Sequence, residues 1–280
     1  MRVLIFGATG MLGKDLMRVW TGDEIIGLGS ADADIRVPEQ VQAQVERIRP
    51  DWIVLSAAYT DVDGCELNPQ LAMAVNTQGA VNVARAAANS RSKLLFVSTD
   101  YVFDGQNTQP YEIDHLRNPI NSYGESKAEA EKKILEILPD TCIVRTSWLF
   151  GAGGRCFPDT ILKLAATRPQ IEVVNDQRGC PTYTHELASA IAQLCRAKAQ
   201  GIVHCTNAGD CTWYDFAREI LSQAGSTTKV LPTTTEKFVR PANRPRYSVL
   251  SSASLGKYRI SMSPWQQTLA DYLRQRGEPT

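Results

Sequence analysis

Neither sign of charge is in excess in this chain: 30 basic residues face 30 acidic ones over 280 positions. A nucleic-acid binder usually carries a clear basic surplus. Its absence argues against that partner, while local patches leave a small anionic ligand open. Cys-x-x-Cys spacing is missing too, the seven cysteines falling at 65, 142, 156, 180, 195, 205 and 211. An odd count without that spacing argues against a disulfide framework and against a structural zinc site. Reduced thiols fit better. Long hydrophobic runs are lacking as well. The opening run Val3-Leu4-Ile5-Phe6 stops at Gly7, too soon for a signal peptide or a membrane span. A cytoplasmic protein with no membrane partner is expected. No internal repeat, low-complexity tract or clear linker interrupts the chain.

What is present is a hydrophobic fraction of 43%, enough for a sizeable core. The length suits one large α/β domain with a smaller appended lobe. Short β-branched runs at Val3–Phe6, Ile53–Ser56, Leu94–Val97 and Cys142–Val144 read as buried strands. Helical patterns near 11–20, 38–49, 70–89 and 123–138 lie between them. This alternation predicts a doubly wound, parallel, Rossmann-like sheet. Beyond residue 150 the texture changes to turn-rich segments. Helices are predicted near 157–168, 184–197, 212–224 and 264–276, with strands at Glu172–Val174 and near Ile202–Cys205. The expected division is a dinucleotide-binding domain over 1–150 and a mainly substrate-binding lobe over 151–280. Parts of 175–225 are expected to return to the first domain.

Directly after the first strand stands Gly7-Ala8-Thr9-Gly10-Met11-Leu12-Gly13. A strand, a Gly-x-x-Gly-x-x-Gly turn and a helix make a seat for a pyrophosphate. Gly7 permits the turn, Gly10 lets the backbone approach the phosphates, and Gly13 lets the helix pack on the sheet. Thr9, Met11 and Leu12 belong to the same cofactor seat. The second strand, Ile25–Leu28, ends in Gly29-Ser30 and not in an acid. That removes a repulsion against a 2′-phosphate and favours NADPH, with NADH still open. Asp34, Ile35 and Arg36 are candidates for the adenine side.

Tyr123 and Lys127, four apart, share one helix face. A free tyrosine has a pKa of about 10. A neighbouring ammonium favours the phenolate, so the pair can pass a proton to a forming alkoxide. By itself Tyr-x-x-x-Lys is a common accident. Ser98-Thr99-Asp100-Tyr101 after the fourth strand strengthens it, since open α/β sheets bind ligands at the carboxyl ends of their strands. Thr99 is placed to polarise a carbonyl, with Asp100 and Tyr101 lining a sugar pocket.

With these landmarks the chain resembles the extended short-chain dehydrogenases/reductases that act on nucleotide sugars. More narrowly it is similar to the dTDP-4-dehydrorhamnose reductases. The likeness also rests on Arg49-Pro50-Asp51, on Ala57-Ala58-Tyr59-Thr60-Asp61-Val62-Asp63 and on Asn76. Further on it rests on Arg145-Thr146-Ser147-Trp148, on Asn175-Asp176-Gln177 with Gly179 and Pro181-Thr182, and on Arg244-Pro245. The resemblance implies reduction of the C4 ketone of a dTDP-sugar by NADPH or NADH. Tyr123 would be the acid, Lys127 its modulator and ribose ligand, and Thr99 the holder of the C4 oxygen. Ala57, Ala58 and Thr60 would border the cofactor. Val62, Asp100, Tyr101 and Trp148 would shape the sugar pocket, and Arg244 would grip the diphosphate. Some relatives are dimers bridged by Mg²⁺. Asp15 and Glu186 match two of the acidic positions, but Gln266 follows Trp265 where the third acid belongs. No obligatory metal is therefore expected, and a homodimer stays open. The rival enzymes are nucleotide-sugar epimerases and dehydratases. The dehydratases typically carry an Asp-Glu pair after the strand-end threonine, whereas here Tyr101 follows Asp100. A different class is the dinucleotide-binding regulatory subunit of methionine adenosyltransferase.

Overall fold

The computed structural model describes residues 1–277. Strand alternation sorts the core into two layers. In β1 (Arg2–Phe6), Val3 and Ile5 point to one side and Leu4 and Phe6 to the other. β3 (Trp52–Leu55) repeats the pattern with Trp52 and Val54 against Ile53 and Leu55. Both faces are apolar because both are covered, as a parallel sheet requires. One face carries α1 (Met11–Val19) and, from much later in the chain, α8 (Thr184–Arg196). The other carries α2 (Pro38–Ile48), α5 (Gly79–Ser90) and α6 (Ser122–Ile137).

The sheet is parallel throughout, in the order β2 (Glu24–Leu28), β1, β3, β4 (Lys93–Thr99), β5 (Cys142–Thr146), β10 (Gly201–His204). From β1 the chain winds first to β2 on one side, then crosses to β3 on the other. That reversal opens a crevice at the carboxyl ends of β1 and β3, where doubly wound sheets take their ligands. The expected fold class is therefore the observed one.

Three two-stranded ladders build the smaller lobe: β6 (Leu149–Phe150) with β9 (Thr182–Tyr183), β7 (Gln170–Val174) with β12 (Lys229–Thr233), and β8 (Arg178–Gly179) with β11 (Cys211–Thr212). They pack with α7 (Phe157–Ala165), α9 (Trp213–Gln223) and α10 (Trp265–Gly277) around Phe150, Ile171, Phe216 and Leu269. The chain leaves the sheet at β5, builds part of this lobe, and returns as α8 and β10.

One predicted element differs. The helix expected over 70–89 is two α-helices, α4 (Pro69–Ala72) and α5, joined by a π-helical stretch, Met73–Gln78. Preceding α4 is α3 (Val62–Leu67). Asn76 causes the widening to matter: its Nδ2 donates to the Tyr59 carbonyl at 3.0 Å and to Ser126 Oγ at 3.0 Å, and its Oδ1 accepts from the Tyr59 N–H at 2.7 Å. π-bulges often occur at functional sites, and this one ties the loop after β3 to the helix that carries Tyr123 and Lys127.

Candidate functional site

The crevice is a cavity of about 550 Å³. β1 delivers the chain to Gly7 in the left-handed region, φ +93°, where a Cβ would lie 2.5 Å from the Ala57 nitrogen. At Gly13 a Cβ would stand 2.0 Å from the Gly7 carbonyl oxygen, so only glycine lets α1 dock there. Gly10 is different: a Cβ would meet only Gly7 O, at 3.4 Å, and the position opens onto the cavity. α1 starts with no side-chain cap and no acid in its first turn. Its leading N–H groups, at Met11, Leu12 and Gly13, have no intrahelical acceptor. That is the donor set and dipole end an anion seeks.

Gly7, Thr9, Gly10, Met11, Leu12 and Gly13 line the cavity from the turn. Ala57, Ala58, Thr60 and Val62 line it from the loop after β3, and Thr99, Asp100 and Tyr101 from the end of β4. Tyr123 and Lys127 enter from α6, and Trp148 from the loop after β5. Sixteen separate expectations thus meet in one space. Three do not. Asp34 is paired with Arg36, its Oδ2 2.5 Å from Nη2. Ile35 is buried against Gly79 of α5. Arg244 lines a second cavity, of about 810 Å³, which shares Tyr101 and Trp213 with the first.

Helix α6 starts at Asn121, whose Oδ1 accepts from the Gly124 N–H at 2.8 Å. Gly124 rests on Tyr101, whose carbonyl oxygen would lie 2.1 Å from an added Cβ. This contact sets the depth at which Tyr123 reaches the end of β4. The Tyr101 and Tyr123 rings meet edge to face, centroids 6.0 Å apart. Lys127 is buried, donates to the Val97 carbonyl at 2.7 Å and lies 4.0 Å above the Phe96 ring. Burial brings its ammonium down to about 7, against an opposing pull from Glu131. Burial pushes the Tyr123 phenol up, with neighbouring Thr99 acting the other way. The lysine was expected to depress the phenol; its head group is instead pinned on Val97, and Thr99 supplies the lowering contact.

Thr99 Oγ1 donates to Asp100 Oδ1 at 3.0 Å and accepts from the Tyr101 N–H at 3.2 Å. Asp100 Oδ2 is buried without a hydrogen-bond partner. Burial lifts that carboxyl to about 7. Asp100 lines the cavity, but this oxygen is itself shut off from it, and an unpaired buried polar atom is costly.

Several lining residues carried no motif. Trp213 stacks face to face on Trp148, centroids 3.5 Å apart and planes 7° apart. Trp148 sits at φ 46°, and Gly179 makes room for its ring: a Cβ there would be 2.6 Å from Trp148 Cε2. Arg155 and Ser56 also line the cavity. A positive φ at an aromatic and a partner thirty or more residues away leave no periodic trace in a sequence.

Of the two acids considered for a metal, Glu186 has both oxygens engaged internally, whereas Asp15 keeps Oδ1 buried without a hydrogen-bond partner. Asp15 Oδ2 accepts from Thr184 Oγ1 at 2.6 Å. Glu186 Oε1 accepts from the N–H and Oγ of Ser263 at 2.9 and 2.7 Å, and Oε2 from Asn207. Among the described residues no three His, Cys, Asp or Glu side chains cluster as metal ligands.

A glycine turn and a Tyr-x-x-x-Lys helix meeting across the switch point of a parallel sheet is the architecture of the extended short-chain dehydrogenases/reductases. Within that class the chain belongs to the RmlD substrate binding domain family, which it matches over residues 1–277. It is 39% identical over 278 residues to the spore coat polysaccharide biosynthesis protein SpsK of Bacillus subtilis, covering 99% of this chain and 98% of that one. It is 42% identical to a dTDP-4-dehydrorhamnose reductase of Streptomyces griseus, covering 90% and 86%. A solved structure of dTDP-4-dehydrorhamnose reductase from Bacillus anthracis in complex with NADP superposes with a TM-score of 0.95 at 39% identity, covering 98% of this chain and 99% of that chain.

Proposed function

We propose that the protein reduces the C4 ketone of dTDP-4-dehydro-β-L-rhamnose to dTDP-β-L-rhamnose, the last step of dTDP-rhamnose synthesis, using NADPH or NADH. The observation that carries this reading is the meeting of Thr99, Tyr123 and Lys127 with the glycine turn in one cavity. The uncapped start of α1 and the vacant side of Gly10 suit a dinucleotide's diphosphate. Bound there, the nicotinamide supplies the hydride. NADPH is favoured because the acids beyond β2 are committed. Asp32 Oδ2 accepts from the Gly29 N–H at 2.8 Å, and Asp34 holds Arg36.

In this reading Thr99 Oγ1 hydrogen-bonds the ketone oxygen, and the Tyr123 hydroxyl delivers the proton as that oxygen becomes an alkoxide. A phenol kept protonated by burial is suited to the acid role. Lys127 holds the cofactor ribose. Asp100, Val62, Tyr101 and Trp148 bound the sugar. Arg244 takes the diphosphate, placing the nucleotide in the second cavity. All seven cysteines are free and buried, and among the described residues no helix is long and apolar enough to cross a membrane. Both support a cytoplasmic setting; association into a homodimer belongs to the same proposal.

The test is oxidation of NADPH, and separately NADH, against enzymatically generated dTDP-4-dehydrorhamnose, with the product identified by mass and NMR. One cofactor consumed per sugar supports the proposal. Turnover of a nucleotide sugar without net cofactor consumption assigns an epimerase. Tight NADPH binding with no turnover, together with stimulation of a methionine adenosyltransferase, assigns the regulatory role.

A further inference from the structure

Two arginines share one carboxylate where the two cavities adjoin. Asp63 lies in the first turn of α3, next to the cavity-lining Val62. Its Oδ2 accepts from Arg240 Nε at 2.7 Å, with Arg240 Nη2 at 2.5 Å. Its Oδ1 accepts from Arg244 Nη1 and, at 3.3 Å, from the Ala242 N–H. Arg244 Nη1 also donates to the Ala242 carbonyl at 2.6 Å. Nε and Nη2 of Arg244 make no hydrogen bond among the described residues, and both arginines line the second cavity. The strap formed by residues 240–244 is anchored again by Asn121 Nδ2, which donates to the Asn243 carbonyl at 2.8 Å. Asn121 caps the helix that carries Tyr123.

We propose that Asp63 is a positioning residue for the substrate: it holds Arg240 and Arg244 as a preformed cradle that receives the diphosphate of the nucleotide sugar. This rests on the reading of Arg244 given above. Two guanidiniums against one carboxylate leave a net positive charge, with one edge of Arg244 unused. Long side chains ordinarily lose rotamer freedom when a ligand immobilises them. Here the ordering precedes the ligand. Against the upward push of burial, Arg244 and Arg240 bring the Asp63 carboxyl down to about 2, so the cradle keeps its charge at any ordinary assay pH. Because Asp63 follows the loop that borders the cofactor, one ion pair also joins the cofactor side to the strap.

Charge and geometry make opposite predictions, which gives a clean test. Removing a carboxylate beside an anion site strengthens anion binding if only charge matters. If Asp63 positions the arginines, the same change weakens it. Binding of dTDP, thymidine and NADPH is measured by calorimetry for wild type, Asp63→Asn, Asp63→Glu and Arg244→Ala. The expected result is about tenfold weaker dTDP binding in Asp63→Asn, with thymidine and NADPH unchanged. Asp63→Glu keeps the charge but moves it by one methylene, and is expected to weaken dTDP to an intermediate degree. Unchanged or tighter dTDP binding in Asp63→Asn overturns the proposal, as does parallel loss of NADPH, which would make Asp63 a general support of α3. If Asp63→Asn does not fold, unchanged dTDP binding in Asp63→Glu overturns it. Arg244→Ala separates the underlying reading: if dTDP binding survives that change, Arg244 does not hold the diphosphate, whatever Asp63 does.

Discussion

Two carboxylate-and-phenol neighbours, Asp100 and Tyr123, carry the sharpest predictions for single residues. Tyr123→Phe removes the hydroxyl and leaves the rest of the cavity wall in place. Turnover is expected to fall by about 10²–10⁴-fold, the usual contribution of a general acid, while the NADPH dissociation constant stays within about twofold. Steady-state kinetics with fluorescence titration checks both; near-normal turnover would remove Tyr123 from the acid role. Asp100 makes a pH prediction. Its carboxyl is raised to about 7 by burial, so between pH 4 and 7 the folded chain holds a proton that the unfolded chain has released. Stability from this group is therefore fully present at low pH and lost as pH rises through 7. Asp100→Asn, neutral at every pH, escapes that loss. Measured by urea unfolding at pH 5 and pH 8, the stability of Asp100→Asn relative to wild type is expected to rise by about 2–3 kcal/mol. A constant difference would mean the carboxyl is ionised in the folded protein throughout.

At the scale of elements, the π-helical stretch is where local pattern and site meet. Asn76 satisfies both main-chain groups of Tyr59 and also bonds Ser126, which stands between Tyr123 and Lys127 on α6. Asn76→Ala strands those partners, and at about 1–3 kcal/mol for each unsatisfied buried group a total loss of about 2–4 kcal/mol is expected, with weaker NADPH binding because the Ala57–Thr60 loop loses its tether. Urea unfolding and NADPH titration check this; an unaltered loop would leave both unchanged. The long helix over 70–89 was legible in sequence as apolar spacing, but its widening was not, because a π turn is set by what Asn76 reaches across space. The same contrast runs through the whole chain. Buried strands such as Val3–Phe6 announce themselves by β-branched runs, and the glycine turn by spacing. The two-residue ladders β6–β9 and β8–β11 are too short to carry a period, and Trp213 became a wall of the cavity only by stacking on Trp148. Asp34 and Ile35 are a different case. They follow the second strand at a plausible distance, yet the chain turns Ile35 into the core beneath α5.

For the whole molecule, the order of the sheet decides whether the first half can stand alone. α8 and β10 come from residues 184–204, yet they cover α1 and complete the sheet beside β5. Leu187, Ile191, Leu194 and Val203 from these returning elements are 0%, 0%, 0% and 1% exposed. Burying each contributes about 1.5–3 kcal/mol, so the four together contribute roughly 6–12 kcal/mol. That equals the whole stability of an ordinary domain, about 5–15 kcal/mol. A fragment ending at residue 150 also exposes β5 as a bare parallel edge, an invitation to aggregate. The two lobes are therefore expected to fold as one cooperative unit. Trp20 and Trp52 lie in the sheet core, whereas Trp148, Trp213 and Trp265 lie in or against the core of the smaller lobe. Fluorescence of variants that keep only one set should therefore give the same urea midpoint as far-UV circular dichroism of the full chain, and the 1–150 fragment should show neither a cooperative transition nor NADPH binding. Two separated midpoints, or a 1–150 fragment that melts cooperatively, would show that the glycine-turn half holds its fold without the strand that arrives fifty residues later.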